Sequence, residues 1–326
     1  MKAVTYQKNS DEFTLKNLPI PTVETEYDVV VKVLAAGLNP VDAKINFWHG
    51  MIEDMDDDFV PGLDVAGEIT QVGSSVTEWK VGDRVLYHGD MRRKHGAFAE
   101  YAVHDSRTLV EHPIVAPEVA AATPCAGWTA MHALVDKLHI DIRKSFLLTG
   151  GSGGVGGFAL QLASHFCVDN IITTCSSKNH EYALSLGADH AVDYRDDVLE
   201  KVLELTDGKG VHASMDCVGG DNDILCANAL DYEGHMLELV STIRPSEYYD
   251  SFGRGLSFHQ VSLGSGHTHG DKGRKSILKS GRRFTHLVNT GRIQVPQLKI
   301  ISVEDTPAAL KQLREKRTVG KIVVKF

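Results

Sequence analysis

Gly151, Gly153 and Gly156 stand in the spacing GxGxxG within SFLLTGGSGGVGGFALQLA, after an apolar strand and at the opening of an apolar helix. In that setting each glycine has its own task. The first permits a tight turn, the second lets backbone approach a pyrophosphate, and the third lets the helix pack closely on the sheet. The free amides of the helix start, at Gly154, Val155 and Gly156, then meet phosphate charge at the positive end of the helix dipole. The bland alternative is a glycine-rich connection with no ligand, and the strand-helix alternation around it speaks against that reading.

The next strand, IITTC, is followed by Ser176, Ser177 and Lys178, with no Asp or Glu until Glu181. An acid at that strand end would bind a ribose 2′-hydroxyl, whereas a cation accepts a 2′-phosphate, so NADPH is the expected cofactor. Lys178 also reads as a solvated residue at a helix start, although a cation gains nothing from the dipole there. Tyr194, which closes the third strand in HAVDYR, either borders the same phosphate or is simply exposed at a strand end.

Lys44 in NPVDAKI is the candidate catalytic residue, because a lysine beside a desolvated cleft offers both charge and a proton. The competing reading is a solvated lysine after the NPVD turn. Phe47 and Trp48 either line an apolar substrate pocket or fill the core. Tyr87, after VGDRVL, is a pocket residue or a structural strand end. The acidic run Asp54 to Asp58 lacks the glycine and ligand spacing of a calcium loop and reads as solvated. His267 and His269 in GSGHTHGD have no third ligand close by in sequence, so no metal is expected.

Residues 1 to about 120 hold short alternating segments such as VVVKVLAAG, GEITQVG and DRVLYHG, broken by glycine and proline, and are β-rich. From about 125, apolar strands alternate with helical periods, which predicts an α/β unit of five or six parallel strands with crossover helices. A helical stretch ends near Val288, and the tail LKIISVEDTPAALKQLREKRTVGKIVVKF returns to the texture of the first segment. The two ends, 1–122 and 289–326, are therefore expected to form one domain, with 123–288 inserted as a doubly wound sheet.

Composition narrows the function classes. A net charge of −9 would repel a nucleic-acid backbone, and the basic clusters Arg92 to Lys94 and Arg314 to Arg317 are short and flanked by acids. The five cysteines are odd in number and include no CxxC pair, which suits a reducing cytoplasm better than a disulfide framework or a zinc ribbon. The first residues lack the apolar core of a signal peptide, and no uncharged apolar run approaches the ~20 residues of a membrane span, so no membrane partner is expected.

These motifs together give the chain a resemblance to the medium-chain dehydrogenase/reductase superfamily, in its zinc-free, quinone-oxidoreductase-like branch. The similarity runs through AAGLNPVDAKI, PGLDVAGEI, VGDRV, GAFAEY, GWTAMHAL, TGGSGGVGGFALQLA, LGADHAVDY, DCVGG and VGKIVV. It implies a GroES-like β-rich domain from both chain ends, an inserted Rossmann domain, and a cleft where nicotinamide meets a small-molecule substrate. It also implies that Asn39 faces the nicotinamide, that Thr129, Cys217 and Val218 contact the cofactor, and that Rossmann domains pair into a homodimer. Where the zinc alcohol dehydrogenase branch has a cysteine and a His-Glu pair, this chain has Asn39 and Leu63-Asp64, which turns the expected chemistry from alcohol oxidation to hydride addition. NPVDxK with GxDVAG looks most like the enone and alkenal oxidoreductases, where the matching lysine lies at the substrate carbonyl. An enoyl-thioester reductase and an NADPH-binding protein without turnover are the alternatives.

Overall fold

The computed structural model describes residues 1–53, 55–315 and 318–326; Asp54 of the acidic run and Lys316 and Arg317 of the second basic cluster lie outside them. Two compact units emerge. The first comprises Met1–Trp128, Leu263–Gly291 and Gln297–Phe326, and the second Thr129–Ser262 with Arg292–Pro296.

The first unit is built on a mostly antiparallel sheet. Its path runs Leu298–Ile301, Lys321–Lys325, Asp28–Leu38, Asp64–Val72, Arg84–His88 and Val110–Glu111, with Tyr101–Asp105 also paired to Asp28–Leu38. The strand Asp28–Leu38 is the centre of this arrangement: Val29, Val30, Val31, Val33, Ala35 and Ala36 are all buried, as a β-branched run covered on both faces requires. Antiparallel pairing of Lys321–Lys325 with that strand sets Ile322 opposite Leu38. The register thereby brings Lys321 alongside the chain where it leaves the strand at Asn39. Met1 to Asn17 adds a hairpin of Lys2–Gln7 and Glu12–Asn17. Two acids of this loop are paired locally, Asp58 with Lys16 at 3.0 Å and Asp56 with Lys94.

The second unit is a six-stranded parallel sheet in the order His190–Asp193, Asn170–Cys175, Ser145–Thr149, Val211–Asp216, Leu230–Glu238 and Ser257–Gln260. In chain order that is 3-2-1-4-5-6, the doubly wound arrangement expected from the alternation. Its strand order reverses beside Ser145–Thr149, and ligands of such sheets bind at the carboxyl ends of the strands there. Leu147, Ile172, Val192, Val202, Val211 and Met236 form the core beneath the helices.

The helix Gly270–Asn289 differs from the sequence boundary, which placed it with the parallel sheet. It groups with the first unit, and the reason lies in its apolar stripe: Gly273, Ile277, Ser280, Gly281, Phe284, Thr285 and Val288 are buried at helical spacing. Phe284 lies so close to Gly127 that a Cβ there would stand 2.4 Å from the ring, and Gly281 likewise receives the Trp128 indole. The chain thus leaves the first unit at Trp128 rather than at the expected residue 122. Among the described residues no helix is long and apolar enough to cross a membrane.

Phe284 is fully buried. Phe284→Ala should cost about 3–5 kcal/mol of unfolding free energy, the usual loss for an emptied aromatic site, read as a lower urea midpoint.

Candidate functional site

The glycine turn begins where the buried strand Ser145–Thr149 ends. Gly150 takes φ +77°, and the amides of Gly150 and Gly151 both donate to Thr174 O, at 3.0 and 3.1 Å, on the neighbouring strand. A Cβ on Gly151 would stand 2.2 Å from Thr173 Oγ1, and one on Gly156 2.2 Å from Gly150 O. Packing therefore demands glycine at both positions. Gly153 is different: a Cβ there would meet nothing closer than Gly150 O at 3.4 Å. The protein's own packing leaves that backbone bare, as a site for close approach of a pyrophosphate must be. Gly153 caps the helix Gly154–His165, whose first amides, at Gly154, Val155 and Gly156, have no acceptor within the helix. The cradle fits a dinucleotide.

Two neighbouring strand ends complete it. Asp216, fully buried at the end of Val211–Asp216, accepts from Thr149 Oγ1 at 2.5 Å, Val218 N at 2.8 Å and Gly219 N at 3.0 Å. Thr149 Oγ1 in turn accepts from Cys217 N at 3.1 Å. One carboxylate thus fixes the Cys217-Val218 turn beside Gly150. At the end of Asn170–Cys175, Asn179 Nδ2 donates to Ser176 Oγ at 3.1 Å and lies 3.4 Å from Ser152 Oγ, joining the serine turn to the glycine turn.

The sequence reading missed a pair at this corner. Asp193 ends the third strand, but Arg195 holds it in a fork, Nε to Oδ1 at 2.8 Å and Nη2 to Oδ2 at 2.6 Å, while Ser177 N donates to Oδ2 at 2.8 Å. The guanidinium keeps this carboxyl far below the usual carboxylate range. Arg195 also sits 5.9 Å from the ring of Tyr194, itself 61% exposed, and 3.3 Å from Ser177 Oγ. Ser177, Tyr194 and Arg195 therefore converge. Lys178 is exposed and hydrogen-bonds no described residue, so its charge is uncommitted.

In the first unit, Asn39 is 2% exposed and its polar groups are spent. Its N–H donates to Asp42 Oδ2 at 2.8 Å, its Nδ2 to Asp64 Oδ2 at 2.9 Å, and its Oδ1 accepts from Lys321 Nζ. Lys321 Nζ also donates to Leu38 O at 3.2 Å and lies 3.8 Å from Asp64 Oδ2. Asp64 Oδ1 accepts from Cys125 N at 2.8 Å. Asn39 caps the short helix Pro40–Ala43, at whose end stands half-buried Lys44, its amide donating to Pro40 O at 3.0 Å. Asn39 thus positions this turn through its backbone and side-chain hydrogen bonds.

The other expected pocket residues separate. Trp48 packs against the core of the first unit and donates from Nε1 to Val41 O at 2.8 Å, whereas Phe47 is 82% exposed. The core alternative therefore holds for Trp48. Tyr87 is buried, stacked on His104 at 4.3 Å, with its hydroxyl unpartnered. Thr129 is buried at the start of the second unit.

His267 and His269 do not form a pair. His269 Nδ1 bonds Ser265 O at 2.7 Å, while His267 stacks on His88 and places Nε2 3.1 Å from His88 O. His88 is buried with Nδ1 unpartnered, and burial, aided by His267, pushes its imidazole down to about 3. A group the sequence reading did not assemble results: Asp64, His88 and Cys125 bring one donor atom each within 4.8 Å of one another. Its chemistry fits a resident cation poorly. Asp64 Oδ2 already lies 3.8 Å from the Lys321 ammonium, whose charge opposes a second cation there, and burial raises the Cys125 thiol well above its ordinary pKa.

Burial raises Asp42 to about 8, with Asp64 adding to the effect, and raises Asp64 to about 6 against the opposing pull of Lys321. Each carboxyl keeps a proton in the folded chain that it releases when unfolded above its ordinary value of 3.8, so stability falls as pH climbs from there towards about 8. Asp42→Asn retains the acceptor for Asn39 N–H and should flatten that decline, read as urea midpoints across the pH range.

Comparison with known proteins places these features. Residues 25–114 match the alcohol dehydrogenase GroES-like domain family, and 154–247 the zinc-binding dehydrogenase family. The chloroplast envelope quinone oxidoreductase homolog of Arabidopsis thaliana is 37% identical over 62% of this chain and 63% of its own length. The chloroplastic NADPH-dependent alkenal/one oxidoreductase of the same plant is 35% identical over 64% of this chain and 56% of its own length. The chain thus spans about 60% of the length of these relatives, somewhat under two thirds. The quinone oxidoreductase structure from Pseudomonas syringae pv. Tomato DC3000 superposes with a TM-score of 0.84 at 25% identity, covering 100% of this chain and 99% of that one.

Proposed function

We propose that the chain is a member of the medium-chain dehydrogenase/reductase superfamily and an NADPH-dependent oxidoreductase that reduces quinones or α,β-unsaturated carbonyl compounds without a metal. The observation that carries this reading is the glycine cradle, bare at Gly153 and flanked by a second-strand end, Ser176 to Lys178, that bears no acid, while Asp193 of the third strand is engaged by Arg195. An acid so engaged does not compete for a ribose hydroxyl, and the uncommitted Lys178 with Ser177 and Tyr194 offers a 2′-phosphate its charge and donors. Ser176 orients that turn, and Cys217 and Val218 wall the side next to Gly150.

When bound, the reduced nicotinamide supplies a hydride. What the chain must add is a positive group at the substrate carbonyl oxygen, where negative charge develops during conjugate addition, and Lys44 takes that role. The Lys321–Asn39–Asp64 network fixes the turn that carries it. Alcohol oxidation would need a Lewis acid to make an alkoxide, and Lys321 already supplies the cation beside Asp64. Five cysteines without a disulfide suit a reducing cytoplasm, and the open edge strand Ser257–Gln260 suits a homodimer.

The test is loss of NADPH absorbance with a panel of quinones, enals and enones, before and after chelation. Turnover unaffected by the chelator is expected; tight NADPH binding with no turnover on any acceptor would reject the enzyme. Lys44→Met should lower kcat for enones about tenfold, and an unchanged kcat removes Lys44 from the reaction. Lys178→Ala should raise KM for NADPH about tenfold and leave KM for NADH alone, since only the former carries the 2′-phosphate.

A further inference from the structure

The parallel sheet carries a second concave site, at its end opposite the glycine turn. Arg143 precedes the strand Ser145–Thr149, His212 and Ser257 stand at the beginnings of Val211–Asp216 and Ser257–Gln260, and His235 lies midway along Leu230–Glu238. With Tyr232 and Glu233 they line a cavity of about 430 Å³. Arg93, Arg195, Arg244 and Arg314 each engage a carboxylate. Arg143 does not: half-buried, it donates from Nε to Leu138 O at 3.1 Å, and its two terminal nitrogens meet no acceptor among the described residues. A half-buried guanidinium whose terminal nitrogens carry no hydrogen bond to the described residues, with Asp141 as the acid whose charge acts on it, is suited to a planar or tetrahedral oxyanion.

The neighbouring side chains present donors as well. Ser145 Oγ accepts the backbone N–H of His212 at 3.0 Å and lies 2.6 Å from its Nδ1, which orients the ring and leaves Nε2 with no hydrogen-bond partner among the described residues. Ser257 Oγ and the Tyr232 hydroxyl have no protein partner among the described residues. His235 Nδ1 and His259 Nε2 stand 3.1 Å apart on stacked rings and share one proton between them. Burial lowers both imidazoles, His235 to about 4, and the charges of Arg143, His139 and, at His259, Lys137 push the same way. The one acid lining the cavity is Glu233, which is exposed and held at φ +56°.

We propose that this cavity binds the phosphate group of a small phosphate monoester, with Arg143 as a bidentate anchor and His212, Ser257 and Tyr232 as donors. The volume exceeds that of a bare oxyanion and leaves room for the organic part. A dianion there opposes the burial and the neighbouring positive charges that keep the His235–His259 pair neutral, so binding takes up a proton and strengthens as pH falls.

The test is calorimetry on the full chain with NADPH saturating, so that the glycine cradle is not free to take phosphate. Probes are sulfate, whose charge does not change with pH, inorganic phosphate and glycerol phosphate. Saturable sulfate binding is expected, about tenfold weaker in Arg143→Gln, severalfold tighter in Glu233→Gln, and stronger at about pH 6 than at about pH 8 with net proton uptake. Glycerol phosphate should bind more tightly than inorganic phosphate, and equal or weaker binding overturns the monoester assignment. Absence of saturable sulfate heat, or affinity moved by neither Arg143→Gln nor Glu233→Gln, overturns the site. The Glu233→Gln arm keeps the test decisive even if Arg143→Gln unfolds, because it replaces an exposed side chain and predicts a gain.

Discussion

A buried ammonium organises the first unit. Lys321 reaches Leu38 O, Asn39 Oδ1 and the neighbourhood of Asp64, and so ties a strand that follows the parallel sheet to a strand and a turn that precede it. In a low-dielectric interior such a charge is tolerated only when its partners are close and its protons are all placed. The demand propagates outward. Asp64 must face the lysine, Asn39 must orient both oxygen and nitrogen, and Cys125 must offer its amide to the remaining carboxylate oxygen. The turn bearing Lys44 inherits its position from that arrangement, and the same charge makes the Asp64, His88 and Cys125 group a poor home for an ion.

Electrostatics in the second unit follow a related economy. Asp193, at the end of the third strand, reaches the Ser176 to Lys178 turn through Ser177 N, and Arg195 engages both of its oxygens. The second strand itself ends without an acid, at Ser176, Ser177 and Lys178. The acid supplied by the third strand was silent until its partner could be seen.

What was legible in the sequence was what local constraint dictates. The glycine turn could be read because each glycine answers a steric demand within a few residues, and the six parallel strands because their apolar runs alternate with helical periods. The grouping of His88 with Asp64 and Cys125, or of Lys321 with Asn39, depends on strand register between distant segments, which no local pattern encodes. The helix Gly270–Asn289 shows the same limit: its periodicity announces an apolar face but not which unit that face covers. Phe47 and Trp48 were indistinguishable as adjacent aromatics, and only an indole hydrogen bond to Val41 separates the packed one from the exposed one.

The second unit occupies nearly one continuous stretch, whereas the first is assembled from chain on either side of it. During synthesis on the ribosome, the parallel sheet has most of its partners as soon as Ser262 has emerged. Asp64 and Asn39 have by then long been made, but the lysine that balances them is still to come. Until it arrives, Asp64 lacks the counter-charge that Lys321 gives it in the folded chain.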